Sequence, residues 1–199
     1  MYSLPDKNDC TIAVIGLGYV GLPVAIEFAK QKKSFVNNKI MNRKIIGFDI
    51  NKNRINELKK GFDKTCEIDV NEIQKLENIT FTSDSSYLVE AEVFIVTVPT
   101  PIDKSKKPDL RLIKEACKTI GKAINNSNKT FSPVIIFEST VYPGASEEIF
   151  MPIVSSFAGL PIYDDTNNCR SLAFGYSPER INPGDKEHKI SSIIKVTSG

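Results

Sequence analysis

The chain has 199 residues, 41% hydrophobic and 25% charged, an ordinary balance for one globular domain with its own core. Lys plus Arg number 26 against 24 Asp plus Glu, so a net charge of +2 gives no electrostatic footing on nucleic acid or an anionic membrane. The four cysteines are scattered without a CxxC pair and His188 is the only histidine, so no zinc or other metal site is expected, and a reducing cytoplasm suits the pattern.

In chain order, the opening MYSLPDKNDC lacks the apolar core of a signal peptide, and no later run nears the ~18 apolar residues of a membrane span. The first predicted strand, TIAVIG at 11–16, runs into Gly16-Leu17-Gly18-Tyr19-Val20-Gly21, a GxGxxG that opens a helix. Val20, Val24 and Phe28 recur every four residues on one face of that helix. Gly16 serves a tight turn, Gly18 lets the backbone approach a pyrophosphate, and Gly21 lets helix and strand pack closely. The helix N-terminus offers its N–H groups to the anion.

A loop at 31–43 leads to the second strand, KIIGF at 44–48, which ends at Asp49. A carboxylate there accepts ribose hydroxyls and repels a 2′-phosphate, which predicts NAD and not NADP. Asp49 lies 28 residues past Gly21, where about 20 is usual, and the 31–43 loop reads as an insertion that accounts for the excess. Arg54 fits either a cofactor phosphate or the exposed face of a helix.

Further strands are predicted at 79–82, 93–98 (VFIVTV), 134–137 (VIIF), 172–174 and 193–196. Leu110, Ile113, Cys117, Ile120 and Ile124 mark a helix entered through Pro108, with Asp109 as its N-cap. Another follows Gly144, burying Ile149, Phe150, Ile153, Val154 and Phe157, and 164–170 reads as a loop. Strands alternating with helices predict a Rossmann-like α/β fold over 1–199, a doubly wound parallel sheet with helices on both faces. There is no P-loop, no tyrosine followed four residues later by lysine and no GxSxG elbow.

The carboxyl ends of strands in such a sheet line the ligand crevice. Val98-Pro99-Thr100, the ESTVYPG at 138–144 and the YSPER at 176–180 therefore bring Thr100, Thr140 and Glu179 forward as site candidates. Each also has a plainer reading: a turn residue, a helix N-cap and a solvated loop carboxylate.

Taken together, GLGYVGLPVA, FDIN with its following Arg, VFIVTVPTP, ESTVYPG and GYSPERINPGDKEH resemble the UDP-glucose/GDP-mannose dehydrogenase family along essentially the whole chain. The last segment resembles the branch that oxidises UDP-N-acetylhexosamines to uronic acids for bacterial capsule, Vi-type antigen or O-antigen. The resemblance implies oxidation of a sugar C6 alcohol to a carboxylate with two NAD per turnover, through a thiohemiacetal and a thioester on a cysteine. That cysteine belongs to a central domain that none of Cys10, Cys66, Cys117 or Cys169 matches, so the chain alone is expected to be inactive and its cysteines structural. The resemblance also implies a homodimer for the full-length protein.

Carried over position by position, Gly16, Leu17, Gly18, Tyr19, Val20, Gly21, Asp49, Arg54, Val98, Pro99, Thr100, Ser139, Thr140 and Val141 correspond to cofactor contacts. Thr140 corresponds to a residue positioning catalytic water, and Glu179 to a base in thioester hydrolysis, a role for a desolvated carboxylate of raised pKa. Glu179, Arg180, Ile181 and Asn182 correspond to substrate contacts. Pro183 stands where the UDP-glucose branch has a second glutamate, a departure that argues against UDP-glucose. His188 reads as a loop cap.

Overall fold

The computed structural model describes residues 3–102, 106–166, 169–178 and 196–199. Six parallel strands form one sheet: β1 (Thr11–Ile15), β2 (Lys44–Phe48), β3 (Ile79–Thr82), β4 (Val93–Val96), β5 (Val134–Phe137) and β6 (Ala173–Tyr176). Their spatial order, β3-β2-β1-β4-β5-β6, is that of the doubly wound dinucleotide fold. The order reverses between β1 and β4, where Ile15 pairs with Val96, and a crevice opens beyond those strand ends.

Helix α1 (Gly21–Lys30) returns β1 to β2, and α2 (Lys52–Lys59) with the short α3 (Val70–Gln74) returns β2 to β3. A 3₁₀ helix, Ser85–Glu90, crosses to the other side. There α4 (Arg111–Asn125) and α5 (Met151–Ala158) cover the second half of the sheet. Two cores result, one on each face. Val14, Leu17, Val24, Ile26, Ile45 and Ile95 build the first, and Phe94, Val96, Ile113, Ile120, Phe137, Phe150 and Val154 the second. Burial on both faces is why these strands read as continuous apolar runs without alternation.

Several expected boundaries move. β1 and β4 stop at Ile15 and Val96, short of the apolar runs: Gly16 leaves the extended conformation at φ +95°, although the Gly16 and Thr97 amides still donate across to Phe48 O and Ile15 O. β6 is shifted to 173–176, and of the run at 193–196 only Val196 is described, outside any strand. Helix α4 begins at Arg111 with Leu110 at its cap position, and Asp109 still serves it by accepting from the Arg111 amide at 3.0 Å.

The helix after Gly144 starts as a wide π-helical turn, Ser146–Phe150, in which the Met151 amide reaches back to Ser146 O. Pro152 follows without an N–H to give, which suits a turn that departs from the α pattern. The extra residue rotates the buried stripe: Phe150, Met151, Val154 and Ala158 face the core, whereas Phe157 is 38% exposed. The 31–43 loop folds back on itself through a Lys33–Ile40 bridge and leaves Phe35, Val36 and Ile40 in solvent.

Candidate functional site

The glycine-rich turn sits between β1 and α1. Gly16 has φ of +95°, a conformation side-chain-bearing residues rarely adopt, and its amide donates to Phe48 O at 2.8 Å. Gly21 starts α1 in direct contact with that turn, since a Cβ on it would lie 1.8 Å from Gly16 O. A Cβ on Gly18 would meet nothing within 4 Å, so this backbone faces open space. Helix α1 has no side-chain cap and no acidic residue in its first turn, which leaves its positive end to an incoming anion. The geometry fits a dinucleotide pyrophosphate.

Asp49 follows β2 and is half-buried beside that turn. Its Oδ2 accepts from the Leu17 amide at 2.9 Å and its Oδ1 from the Asn51 amide at 2.8 Å. Each carboxylate oxygen keeps a second lone pair, the capacity that ribose hydroxyls require. Arg54, in α2, lies beneath the turn and not in the crevice: its side chain is 4% exposed, its Nη2 lies 2.8 Å from Asp63 Oδ1, and its Nε donates to Leu17 O at 2.8 Å. The reading of Arg54 as an exposed helix residue does not hold. The guanidinium grips the glycine turn from within and is not a surface charge.

Across the switch point, the ends of β4 and β5 are tied to each other. Ser139 is buried and its hydroxyl donates to Val98 O at 2.8 Å, while the Thr100 hydroxyl donates to Thr140 O. Val98, Pro99, Thr100, Thr140 and Val141 thus form one rim, opposite the rim made by residues 16–21 and Asp49. Glu179, Arg180, Ile181, Asn182, Pro183 and His188 lie outside the described residues.

Two residues not singled out from the sequence bind these parts together. Thr97 is buried and donates its hydroxyl to Gly16 O at 2.7 Å and Ile15 O at 3.0 Å, joining the two rims at their base. Its signal was one polar residue inside the apolar run at 93–98. Asp63 anchors Arg54, and the hint was the Asp-x-Thr turn pattern at 63–65. Burial pushes the Asp63 carboxyl up, but hydrogen bonds from Thr65, Arg54 and the Ile68 amide together hold it below the ordinary carboxylate value.

Cys10 and Cys117 are buried, and burial raises both thiols, that of Cys117 to about 12. Cys66 and Cys169 are exposed. No group of His, Cys, Asp and Glu among the described residues is placed to hold a metal ion. No helix among them is long and apolar enough to cross a membrane.

Residues 10–197 match the model of the NAD binding domain of the UDP-glucose/GDP-mannose dehydrogenase family. A UDP-N-acetyl-D-glucosamine 6-dehydrogenase from Pseudomonas aeruginosa is 48% identical over 96% of this chain and 40% of its own length. Protein CapL from Staphylococcus aureus is 46% identical over 94% of this chain and 39% of its own. The solved structure of a UDP-D-ManNAc dehydrogenase from Pyrococcus horikoshii superposes with a TM-score of 0.69 at 29% identity, covering 87% of this chain and 37% of that one. The chain therefore spans about 40% of the length of the curated relatives it matches.

Proposed function

Since this chain belongs to the UDP-glucose/GDP-mannose dehydrogenase family as its NAD binding domain, we propose that it serves a UDP-N-acetylhexosamine 6-dehydrogenase. The observation that carries the reading is the 48% identity with a relative named for UDP-N-acetyl-D-glucosamine, against 29% for a solved relative named for the manno epimer. When bound, NAD supplies the hydride acceptor for oxidation at the sugar C6.

The chain's own residues do the holding. The amides of the 16–21 turn and the α1 N-terminus receive the pyrophosphate, and Asp49 receives the adenosine ribose. Val98, Pro99, Thr100, Ser139, Thr140 and Val141 frame the nicotinamide end. Thr140, exposed on that rim, positions the water that hydrolyses the acyl-enzyme, and Glu179 acts as its base. Arg180, Ile181 and Asn182 contact the UDP-sugar. In this reading the full-length protein is a cytoplasmic homodimer acting in capsule or O-antigen synthesis.

The test is kcat/KM of the full-length protein for UDP-N-acetylglucosamine, UDP-N-acetylgalactosamine, UDP-N-acetylmannosamine and UDP-glucose at saturating NAD. The gluco or galacto N-acetylhexosamine is expected first and UDP-glucose last. A polar pocket that holds an acetamido group discriminates strongly against a sugar lacking it, because its buried partners are left unpaired. Preference for UDP-glucose would overturn the substrate class and leave the cofactor domain intact.

A further inference from the structure

Residues 61–69 wind around a single carboxylate. Asp63 Oδ1 accepts from the Thr65 amide at 3.0 Å and the Thr65 hydroxyl at 2.7 Å, and Oδ2 accepts from the amides of Glu67 at 3.0 Å and Ile68 at 3.1 Å. Its side chain is fully enclosed, and the Arg54 guanidinium completes its shell at 2.8 Å. A charge so thoroughly satisfied costs much to bury, and hydrophobic packing would stabilise the loop as well. The arrangement achieves something packing does not: it fixes the direction of Arg54.

That direction reaches the glycine turn. Arg54 Nε donates to Leu17 O at 2.8 Å from one side, while Asp49 takes the Leu17 amide from the other at 2.9 Å. In a trans peptide the carbonyl of one residue and the N–H of the next point in opposite directions. Holding Leu17 O toward Arg54, beneath the turn, therefore aims the Gly18 N–H away from Arg54, at a residue whose Cβ position is also open.

We propose that Asp63 is a positioning residue for the cofactor pyrophosphate, acting through Arg54 on the Leu17–Gly18 peptide. The inference rests on the assignment of the 16–21 turn to the pyrophosphate. Asp63 touches no ligand in this scheme. It preorients an amide donor, so its effect falls on ligands carrying the diphosphate and spares the adenosine end, which Asp49 serves.

Two variants of the full-length protein test this. Arg54→Lys keeps a buried cation for Asp63 but lacks the fork that reaches Leu17 O as well. Thr65→Val loosens Asp63 without touching a charge. Binding of NAD, ADP and adenosine is measured by NMR titration, with melting curves to establish that each variant is folded. Arg54→Lys is expected to weaken NAD and ADP together by about tenfold, the loss of one charge-assisted hydrogen bond, and Thr65→Val by about threefold. Adenosine binding stays unchanged in both, and KM for NAD rises while kcat and KM for the sugar hold. Adenosine weakening in step with ADP would reduce the ion pair to a structural brace and overturn the proposal. Unaltered ADP binding in a folded variant would do the same. Should Arg54→Lys fail to fold, Thr65→Val decides. A wild-type protein that bound neither NAD nor ADP would refute the pyrophosphate assignment itself.

Discussion

A methyl group added at Gly21 would lie 1.8 Å from Gly16 O and 2.3 Å from the Thr97 hydroxyl, whereas one added at Gly18 would meet nothing within 4 Å. The two glycines of one motif thus serve different ends, and alanine separates them. Gly21→Ala forces backbone against backbone, so a loss at or beyond the upper end of about 1–3 kcal/mol is expected in denaturant unfolding. Gly18→Ala should keep or slightly raise stability, by up to about 1 kcal/mol, through lost freedom of the unfolded chain. Its methyl intrudes where the pyrophosphate approaches, so NAD binding should nevertheless fall at least about tenfold. A Gly18→Ala protein with unimpaired NAD binding would place the anion elsewhere. Asp63 offers a second test. Its folded-state pKa lies below the ordinary value, so its stabilisation is present above the unfolded pKa, near 4, and fades as pH falls through the folded one. Asp63→Asn leaves Arg54 buried against a neutral partner and should cost about 3 kcal/mol at neutral pH. That difference from wild type should be flat from about pH 5 to 8 and shrink below about pH 4; a gap that did not change in acid would exclude Asp63 as its source. The places of the glycines and Asp49 were legible because their signals are local, a turn, a contact and a carboxylate at a strand end. The Asp63–Arg54 link was not, because a buried partner nine residues away on an irregular loop leaves no period to read.

At the scale of elements, α1, α4 and most of the strands announced themselves by apolar runs of period 3.6 or by unbroken apolar stretches, whereas β3 reads ITFT and β6 lies displaced from its apolar run. Helix α2 did not, because only Arg54, Ile55 and Leu58 of KNRINELK are buried and its start depends on Asn51 accepting from the Asn53 and Arg54 amides. Helix α3 buries only Ile73, and so few apolar positions fix no period. The π-helical turn was equally silent, since an inserted residue shows in sequence only as a broken stripe. It matters for packing: α5 lies so close to α4 that a Cβ on Gly121 would sit 2.6 Å from Phe157 Cβ and 2.8 Å from Val154 O. Gly121→Ala therefore sets two effects against each other. The helix gains about 1 kcal/mol in propensity, while the α4–α5 contact loses about 1–3 kcal/mol to overpacking. The clash includes a backbone carbonyl that cannot rotate away, so net destabilisation is expected, read as a lower denaturant midpoint with an unchanged slope. A stabilised variant would show that α5 can move outward freely.

On the scale of the whole molecule, the ligand crevice lies at the carboxyl end of the sheet, and the described groups around it are mainly those that hold a cofactor. The 16–21 turn and Asp49 form one rim, and residues 98–100 and 139–141 form the other. The oxidation proposed for the full-length protein would, as the family resemblance implies, use a thiolate that attacks an aldehyde-level carbon. Cys10 and Cys117 lie buried in the cores with raised thiol pKa values, far from thiolate character at neutral pH. Cys66 stands on the loop that wraps Asp63, and Cys169 precedes β6 at the end where that strand begins, opposite the crevice. None of the four is among the residues of either rim. The chain by itself is therefore expected to bind NAD and to form no NADH above background with any UDP-sugar, over hours and at micromolar protein. Absorbance of the reduced nicotinamide, with the full-length protein as positive control, is the measurement. Replacing all four cysteines by serine should leave NAD binding within about twofold of wild type if the fold survives, since none stands at either rim. Sustained NADH formation by the chain alone would mean that its own residues suffice for at least the first hydride transfer, and the assignment of this domain to cofactor holding would have to be widened.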